Sequence, residues 1–381
     1  MKIVIAYTSA GSGHVKAAEA IQSYFSSRDA GHDIQLIDVL EESPFLFRKA
    51  YASGYSFLVS HAQWLWKLLF HITAQRKLQP TIDKMRKFQN QANVRNFVRF
   101  VLKSRPDVII CTHFLPAAVV SYMKEANQIR SRLVTVITDF GVHPFWLYDS
   151  TDLYCVASTH TRKHLIELGA PEDKIKVTGI PIGEKFQKKY DRESLCEKLG
   201  LAPDMFTVLL MTGSFGIGPL ERVVASLNRH AQLLVVCARN KRLFKKLNAK
   251  RYAQTRVFGL VENIEELMSV SDMIITKPGG LSIAELLCME LPPVFISAIP
   301  GQEHENVKIL EEYGIGESVL ARPALKKQLR RRVGRTVVDA FAVKRKVLEY
   351  IKHPQKLKDM KEKIRRIKKP YAAEELYREV C

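Results

Sequence analysis

The sequence predicts an α/β chain with two Rossmann-like parallel-sheet domains facing a central cleft, and three observations predict it. Short β-rich runs alternate with helical stretches along most of the 381 residues. The alternation occurs in two series, and each series opens with a strand that runs into a glycine loop and a helix. Length agrees, since a chain of 381 residues divides naturally into two domains that each bury a core. Helices between successive strands act as crossovers and make the sheets parallel.

The first series comprises KIVIAY (2–7), DIQLID (33–38), PDVIIC (106–111), RLVTVIT (132–138), DLYCVA (152–157) and KIKVTG (174–179), with helical stretches such as KAAEAIQSYF and TRKHLIELG between them. The second comprises FTVLLM (206–211), AQLLVVC (231–237), TRVFG (255–259), DMIIT (272–276) and PPVFIS (292–297). The expected join lies near Pro181–Asp191. It divides the chain into residues 1–185, residues 186–350 and a basic helical tail, 351–381, interrupted at Pro370. Ligands of such sheets bind at strand carboxyl ends, so the cleft between the domains is the expected site.

Composition narrows the function. Apolar residues make up 46 % of the chain, and no run of 18 apolar residues occurs, so no membrane-spanning helix is predicted. The stretch MKIVIAYTSAGSGH enters a strand and a glycine loop without the order of a signal peptide, so a cytoplasmic location is expected. Six scattered cysteines form no C-x-x-C pair, and Cys111, Cys155 and Cys237 sit in apolar runs as small core side chains. Glu303, His304 and Glu305 do not make the H-E-x-x-H zinc motif.

The formal charge is +20 and unevenly spread. Residues 44–105 hold 12 Lys/Arg against one acid, and residues 326–369 hold 18 against four. Patches of this density seek a polyanion, either nucleic acid or an anionic membrane. The stretch FLFRKAYASGYSFLVSHAQWLWKLLFHITAQRKL places Trp64, Trp66, Leu68, Leu69 and Phe70 among Arg, Lys and His. That mixture fits an interfacial segment lying in the headgroup region, and the basic tail is a second candidate lipid-facing surface. The membrane reading is preferred here to an insertion that completes the core.

Three glycine loops follow strands: TSAGSGHVKAAEA, with Gly11 and Gly13 before His14; MTGSFGIGPLE, with Gly213, Ser214, Gly216 and Gly218; and TKPGGLSIAE, with Gly279 and Gly280. None has the Lys-Ser/Thr of a P-loop, and a dinucleotide site with Asp38 is a weak rival. Two such loops in one half-domain converge on a diphosphate. In the third loop, Ser282-x-x-Glu285 also has capping-box spacing, which leaves a plain helix start as the alternative. After another strand comes PGQEHEN, whose Gln302, Glu303 and Asn306 suit sugar hydroxyls, with a polar loop as the alternative.

The ordered set GSGH-x-x-AAEA, TDFGVHPFW, VTGIPI, MTGSFGIGPLE, VFGLVENIEELM, TKPGGLSIAE and IPGQEHEN, spread over residues 1–320, resembles the monogalactosyldiacylglycerol synthase family and its bacterial diacylglycerol glucosyltransferase relatives. It is more remotely similar to the N-acetylglucosaminyltransferase of peptidoglycan precursor synthesis. The resemblance implies a GT-B fold, an inverting transfer and a UDP-sugar (UDP-glucose or UDP-galactose) held by the carboxyl-terminal domain. It also implies no essential metal, diacylglycerol as acceptor and a peripheral position on the inner face of the cell membrane. Anionic lipids are then the expected partner and nucleic acid is not.

Carried over by residue, the resemblance puts Gly213, Ser214, Gly216, Gly279, Gly280, Leu281 and Ser282 at the diphosphate and Glu285 at the ribose. The stretch from Phe258 and Gly259 to Ile264 passes the uracil, and Gln302 and Glu303 hold the donor sugar. His14 is the expected base, with Asp139 as rival or helper. Gly13 and His143 lie on the acceptor side, and Trp64, Trp66 and Phe70 at the membrane. Thr212 and Ser214 stand where many relatives are richer in glycine. Transfer to a polyprenyl diphosphate sugar and a non-catalytic nucleotide-sugar sensor are the alternatives.

Overall fold

The computed structural model describes residues 1–28, 31–75, 93–213, 216, 220–296, 298–299, 301–319 and 339–381. Two compact units emerge. Unit 1 comprises Met1–Glu184, Ile299–Asn306 and Lys369–Cys381, and unit 2 comprises Lys185–Ala298 and Val307–Lys368.

Unit 1 is a six-stranded parallel sheet ordered β2-β1-β3-β4-β5-β6. Its strands are β1 (Lys2–Tyr7), β2 (Asp33–Asp38), β3 (Val108–Cys111), β4 (Arg132–Val136), β5 (Leu153–Cys155) and β6 (Ile175–Lys176). Its helices are α1 (Ser12–Arg28), α2 (Phe45–His61), α3 (Gln63–Thr73), α4 (Arg95–Ser104), α5 (Phe114–Glu125) and α6 (Thr159–Glu167). The two-residue period of a strand sends alternate side chains to opposite faces, and apolar cover on both faces is what a parallel sheet requires. Val4 and Ala6 pack on α4 and α5, whereas Ile3 and Ile5 pack on Ala18, Ile21 and Phe25 of α1.

Unit 2 is a second parallel sheet, ordered β12-β11-β10-β7-β8-β9. Its strands are β7 (Thr207–Met211), β8 (Gln232–Val236), β9 (Thr255–Phe258), β10 (Met273–Thr276), β11 (Pro293–Phe295) and β12 (Glu317–Ser318). Helix α7 (Arg192–Leu199) precedes them, and between them lie α8 (Leu220–Leu227), α9 (Lys241–Asn248), α10 (Ile264–Ser269), α11 (Gly280–Cys288) and α12 (Gln302–Glu312), whose first residues to Asn306 cluster with unit 1. Both sheets start in the middle, grow to one side and then jump back across the first strand. The strand order therefore reverses between β1 and β3 in unit 1 and between β7 and β10 in unit 2. Loops diverge at such a reversal and leave a crevice outside the strand carboxyl ends.

The tail folds as α13 (Ala340–Lys352), α14 (Pro354–Ile367) and α15 (Ala372–Val380). The helix breaks at Pro370 as expected. Much of its charge is engaged internally. Arg365 and Lys368 bind Glu290, while Lys346 and Lys356 bind Glu349. Leu376 and Val380 of α15 complete the α1 side of the unit 1 core, so the end of the tail is a structural element rather than a lipid-facing one. The basic residues at 76–92 and 320–338 lie outside the described residues.

Leu376 is wholly buried. Leu376→Ala is expected to cost about 2–5 kcal/mol by denaturant unfolding. Leu46→Ala, at a side chain 78 % exposed, is expected to stay within about 0.5 kcal/mol.

Candidate active site

β1 and β3 are neighbours in register, with Ala6 beside Cys111, so the loops that leave them lie side by side. One loop enters α1, whose first turn carries His14, and the other carries Thr112 and His113. Thr112 grips His14 at two points. Its hydroxyl donates to the His14 carbonyl (2.9 Å), and its carbonyl lies 2.9 Å from Nδ1 of the ring. The Thr138 hydroxyl, just beyond β4, lies 2.8 Å from the same Nδ1. A carbonyl oxygen only accepts, so Nδ1 carries the proton and Nε2 keeps a free lone pair. Burial pushes the imidazole down to about 4, against the smaller opposing effect of the Thr112 carbonyl. His14 is thus a neutral, oriented imidazole able to accept a proton at Nε2. His113 meets it edge-on at 4.6 Å, and the buried Trp146 lies 6.4 Å away.

Asp139 follows Thr138 and is held by Asn306. The Asn306 amide donates to the Asp139 carboxylate (3.1 Å) and accepts from the backbone N–H groups of Phe140 (2.9 Å) and Gly141 (3.0 Å). Asn306 is wholly buried, so these bonds replace the expected contact with sugar hydroxyls. Gly141 is needed for this approach, because a Cβ there would lie 2.6 Å from that of Glu305.

His143 is also buried. Its Nδ1 accepts from the Phe145 N–H (3.2 Å), so Nε2 carries the proton and donates to the Phe70 carbonyl (3.3 Å). With both nitrogens engaged, His143 fastens α3 to the 143–146 turn and is not presented to an acceptor. Phe70 stacks on His143 at 4.5 Å and lies where a Cβ on Gly301 would be, 2.7 Å from its ring. The outer side of α3 is different. Trp64 is 67 % exposed and shares a face with exposed Leu68 and Ile72 at four-residue spacing, beside Lys67 and His71. Phe45 and Leu46 at the start of α2 are also exposed. Trp66 is half-buried and packs toward Phe70.

In unit 2, β7 and β10 are adjacent, with Ile275 beside Leu210, so the second and third glycine loops emerge together. Helix α11 starts at Gly280 with Gly279 as its N-cap, and no side-chain cap bond forms. Ser282 is inside the first turn, which overturns the capping-box alternative: a capping serine must precede the helix. Gly279 has an ordinary φ of −71°, and a Cβ there would meet nothing within 4 Å. Nothing among the described residues demands glycine there. Gly216 is the opposite case. It has φ +56°, and a Cβ would strike the Cys237 carbonyl. Gly213 also needs glycine for its φ of +73° but faces open space. Ser214 lies outside the described residues.

Gly280, Leu281, Ser282 and Glu285 all lie on α11, the first three in the turn whose N–H groups an anion would meet. After β9, the carbonyls of Phe258 and Gly259 accept from the N–H groups of Cys237 and Ala238, while Ile264 opens α10. Gln302 opens α12, and Glu303 accepts from the Ile299 N–H (2.6 Å), bracing its own loop. Both cluster with unit 1, whereas the glycine loops belong to unit 2. Gly13 sits beside His14 in α1.

Two family descriptions divide the chain between them. Residues 14–182 match monogalactosyldiacylglycerol synthase, and residues 207–376 match the carboxyl-terminal domain of glycosyltransferase family 28. These matches make the chain a glycosyltransferase, similar over its first half to monogalactosyldiacylglycerol synthase. This glycosyltransferase is 28 % identical over 330 residues to the processive diacylglycerol β-glucosyltransferase of Staphylococcus saprophyticus, covering 83 % of this chain and 80 % of that one. Its GT-B fold is shared with MurG of Acinetobacter baumannii (TM-score 0.56, 14 % identity, 98 % and 97 % of the chains covered). It is shared too with Alr3699/HepE of Anabaena, solved with UDP (TM-score 0.57, 15 % identity, 100 % and 99 % covered).

Reading the residues missed Thr112, Thr138 and His113. Thr112 and His113 follow a strand-like run and Thr138 ends one, and polar residues at strand carboxyl ends were the available signal. Because His14 stays neutral in the fold down to about 4 while an ordinary imidazole protonates near 6.5, the unfolded chain binds more protons between those values. Stability is therefore complete above pH 6.5 and declines as pH falls toward 4. Denaturant midpoints across that range are expected to fall less steeply for His14→Gln than for the native chain.

Proposed function

We propose that this enzyme moves a hexose from UDP-glucose or UDP-galactose to diacylglycerol, with inversion, as a peripheral protein on the inner face of the cell membrane. One observation carries the reading: each unit places complementary chemistry at its strand-order reversal. Unit 1 presents a neutral imidazole with a free lone pair, and unit 2 a bare helix amino terminus flanked by open glycines. The relatives named processive diacylglycerol β-glucosyltransferase supply the substrate class.

The acceptor hydroxyl gives its proton to Nε2 of His14 as its oxygen attacks the anomeric carbon. The bond from that carbon to the diphosphate breaks, and UDP leaves with the electron pair. The α-linked donor thereby gives a β-linked product, and no enzyme nucleophile takes part. N–H groups of the first turn of α11 and the Gly213 loop stabilise the departing charge, aided by the helix dipole. On this reading no metal is required and turnover persists in EDTA. Glu285 holds the ribose, and Asp139 lines the acceptor side. Among the described residues no helix is long and apolar enough to cross a membrane. The exposed apolar face of α3, with Phe45 and Leu46, docks on the bilayer beside the basic residues Lys67, Arg48 and Lys49.

The test is incubation with diacylglycerol liposomes or a polyprenyl-linked acceptor and each UDP-sugar, followed by mass analysis of the lipids. One hexose mass added to diacylglycerol is expected; transfer confined to the polyprenyl acceptor, or no transfer, contradicts the reading. His14→Ala is expected to lose about 10²–10⁴-fold in kcat while still binding UDP in calorimetry. Gly279→Val is expected to cost no more than about 1 kcal/mol at the helix start, because a Cβ there meets nothing within 4 Å among the described residues, yet weaken UDP binding at least about tenfold. Replacing Trp64 and Leu68 together by serine is expected to abolish flotation with anionic liposomes.

A further inference from the structure

We infer that Thr138 is a positioning residue for catalysis: with the Thr112 carbonyl it locks His14 in the Nδ1–H tautomer and holds the imidazolium formed when Nε2 takes the acceptor proton. The inference rests on the assignment of His14 as base.

Two oxygens face one nitrogen. The Thr112 carbonyl stands 2.9 Å from Nδ1 and the Thr138 hydroxyl 2.8 Å. With a proton on Nδ1 both contacts attract; without it, the carbonyl and the nitrogen lone pair repel at that distance. The proton therefore stays on Nδ1, the Thr138 oxygen accepts a share of it, and Nε2 remains the basic atom in the resting enzyme. When Nε2 is protonated, the new positive charge is shared with Nδ1–H, and both oxygens then bind more strongly, as charge-assisted acceptors do. A carboxylate often fills this orienting place beside a basic histidine. Here no coulombic partner shifts His14, and burial dominates.

The groups around the ring agree. His113, the titratable side chain that meets it edge-on, accepts the Leu115 N–H at Nδ1 (3.0 Å). Asp139, next in the chain, is bonded to Asn306. Thr138 itself is rigidly placed. It is buried, and the residues after it are pinned by Asn306 and by the Thr161 hydroxyl, which donates to the Phe140 carbonyl (2.9 Å). A threonine oxygen orients the base without the fixed negative charge that would raise its proton affinity, which leaves His14 neutral across the physiological range.

The experiment compares Thr138→Val, which keeps shape and loses the hydroxyl, with Thr138→Ser, which keeps the hydroxyl. For valine, kcat is expected to fall about ten- to a hundredfold with KM for UDP-sugar unchanged. The acid limb of kcat/KM is expected to move to lower pH, because the imidazolium loses an acceptor. Serine should restore kcat to within about threefold of the native chain and return the limb. Nitrogen NMR of the unmodified enzyme should show the Nδ1–H tautomer at His14, a readout independent of any variant's folding. The inference is overturned if that spectrum shows Nε2–H, if valine leaves kcat and the acid limb unchanged, or if serine and valine lose activity equally. If His14→Ala retains native turnover, the base assignment itself fails; if His14→Ala is inactive and Thr138→Val is native-like, only the inference about Thr138 fails.

Discussion

A single proton on Nδ1 of His14, held by the carbonyl of Thr112, is the constraint on which the chemistry of unit 1 depends. It exists because β1 and β3 are neighbours although β2 separates them in the chain. Their register brings the start of α1 against the residue after Cys111, and the Thr112 hydroxyl ties down the His14 backbone as well. A half-buried imidazole would otherwise have two tautomers of similar energy. The carbonyl selects one, and burial keeps it neutral. Sheet order, backbone bond and proton position are one continuous argument.

Unit 2 applies the same topology to the opposite charge. The reversal between β7 and β10 exposes amide groups rather than a base, and its glycines separate into two physical kinds. Gly216 is required by the protein's own backbone, since a side chain would strike the Cys237 carbonyl. Gly279 is required by nothing among the described residues. On the proposed reading, the open space above Gly279 leaves room for an anionic ligand at a helix start without a side-chain cap.

How much was legible follows from how local each signal is. The strands KIVIAY and DIQLID have the bounds read from the sequence, because a run of β-branched residues ending at a turn is a local pattern. KIKVTG shrank to Ile175–Lys176, since Gly179 adopts a φ of +91° and turns the chain away. Glu317–Ser318 carries no pattern, and β12 was not foreseen. In the site, His14 was reachable through the resemblance that its glycine loop carries. Thr112 and Thr138 were not, because 98 and 124 residues separate them from His14 and only sheet order joins them. His143 was read as ligand-facing from the resemblance and Asn306 from its polarity, whereas in the fold both are buried and bonded to neighbouring loops. The interfacial segment was readable in composition, yet which face of α3 points outward is a property of Phe70 packing on His143 and Gly301.

The stereochemistry of the product tests the whole account most directly. A base that frees an acceptor oxygen for direct attack permits one displacement and hence one inversion. Proton NMR of the glycolipid made from UDP-glucose should show the anomeric coupling of a β-linkage. An α-linked product would require a second displacement or a front-face departure, neither of which a proton-accepting His14 supplies, and would contradict the account.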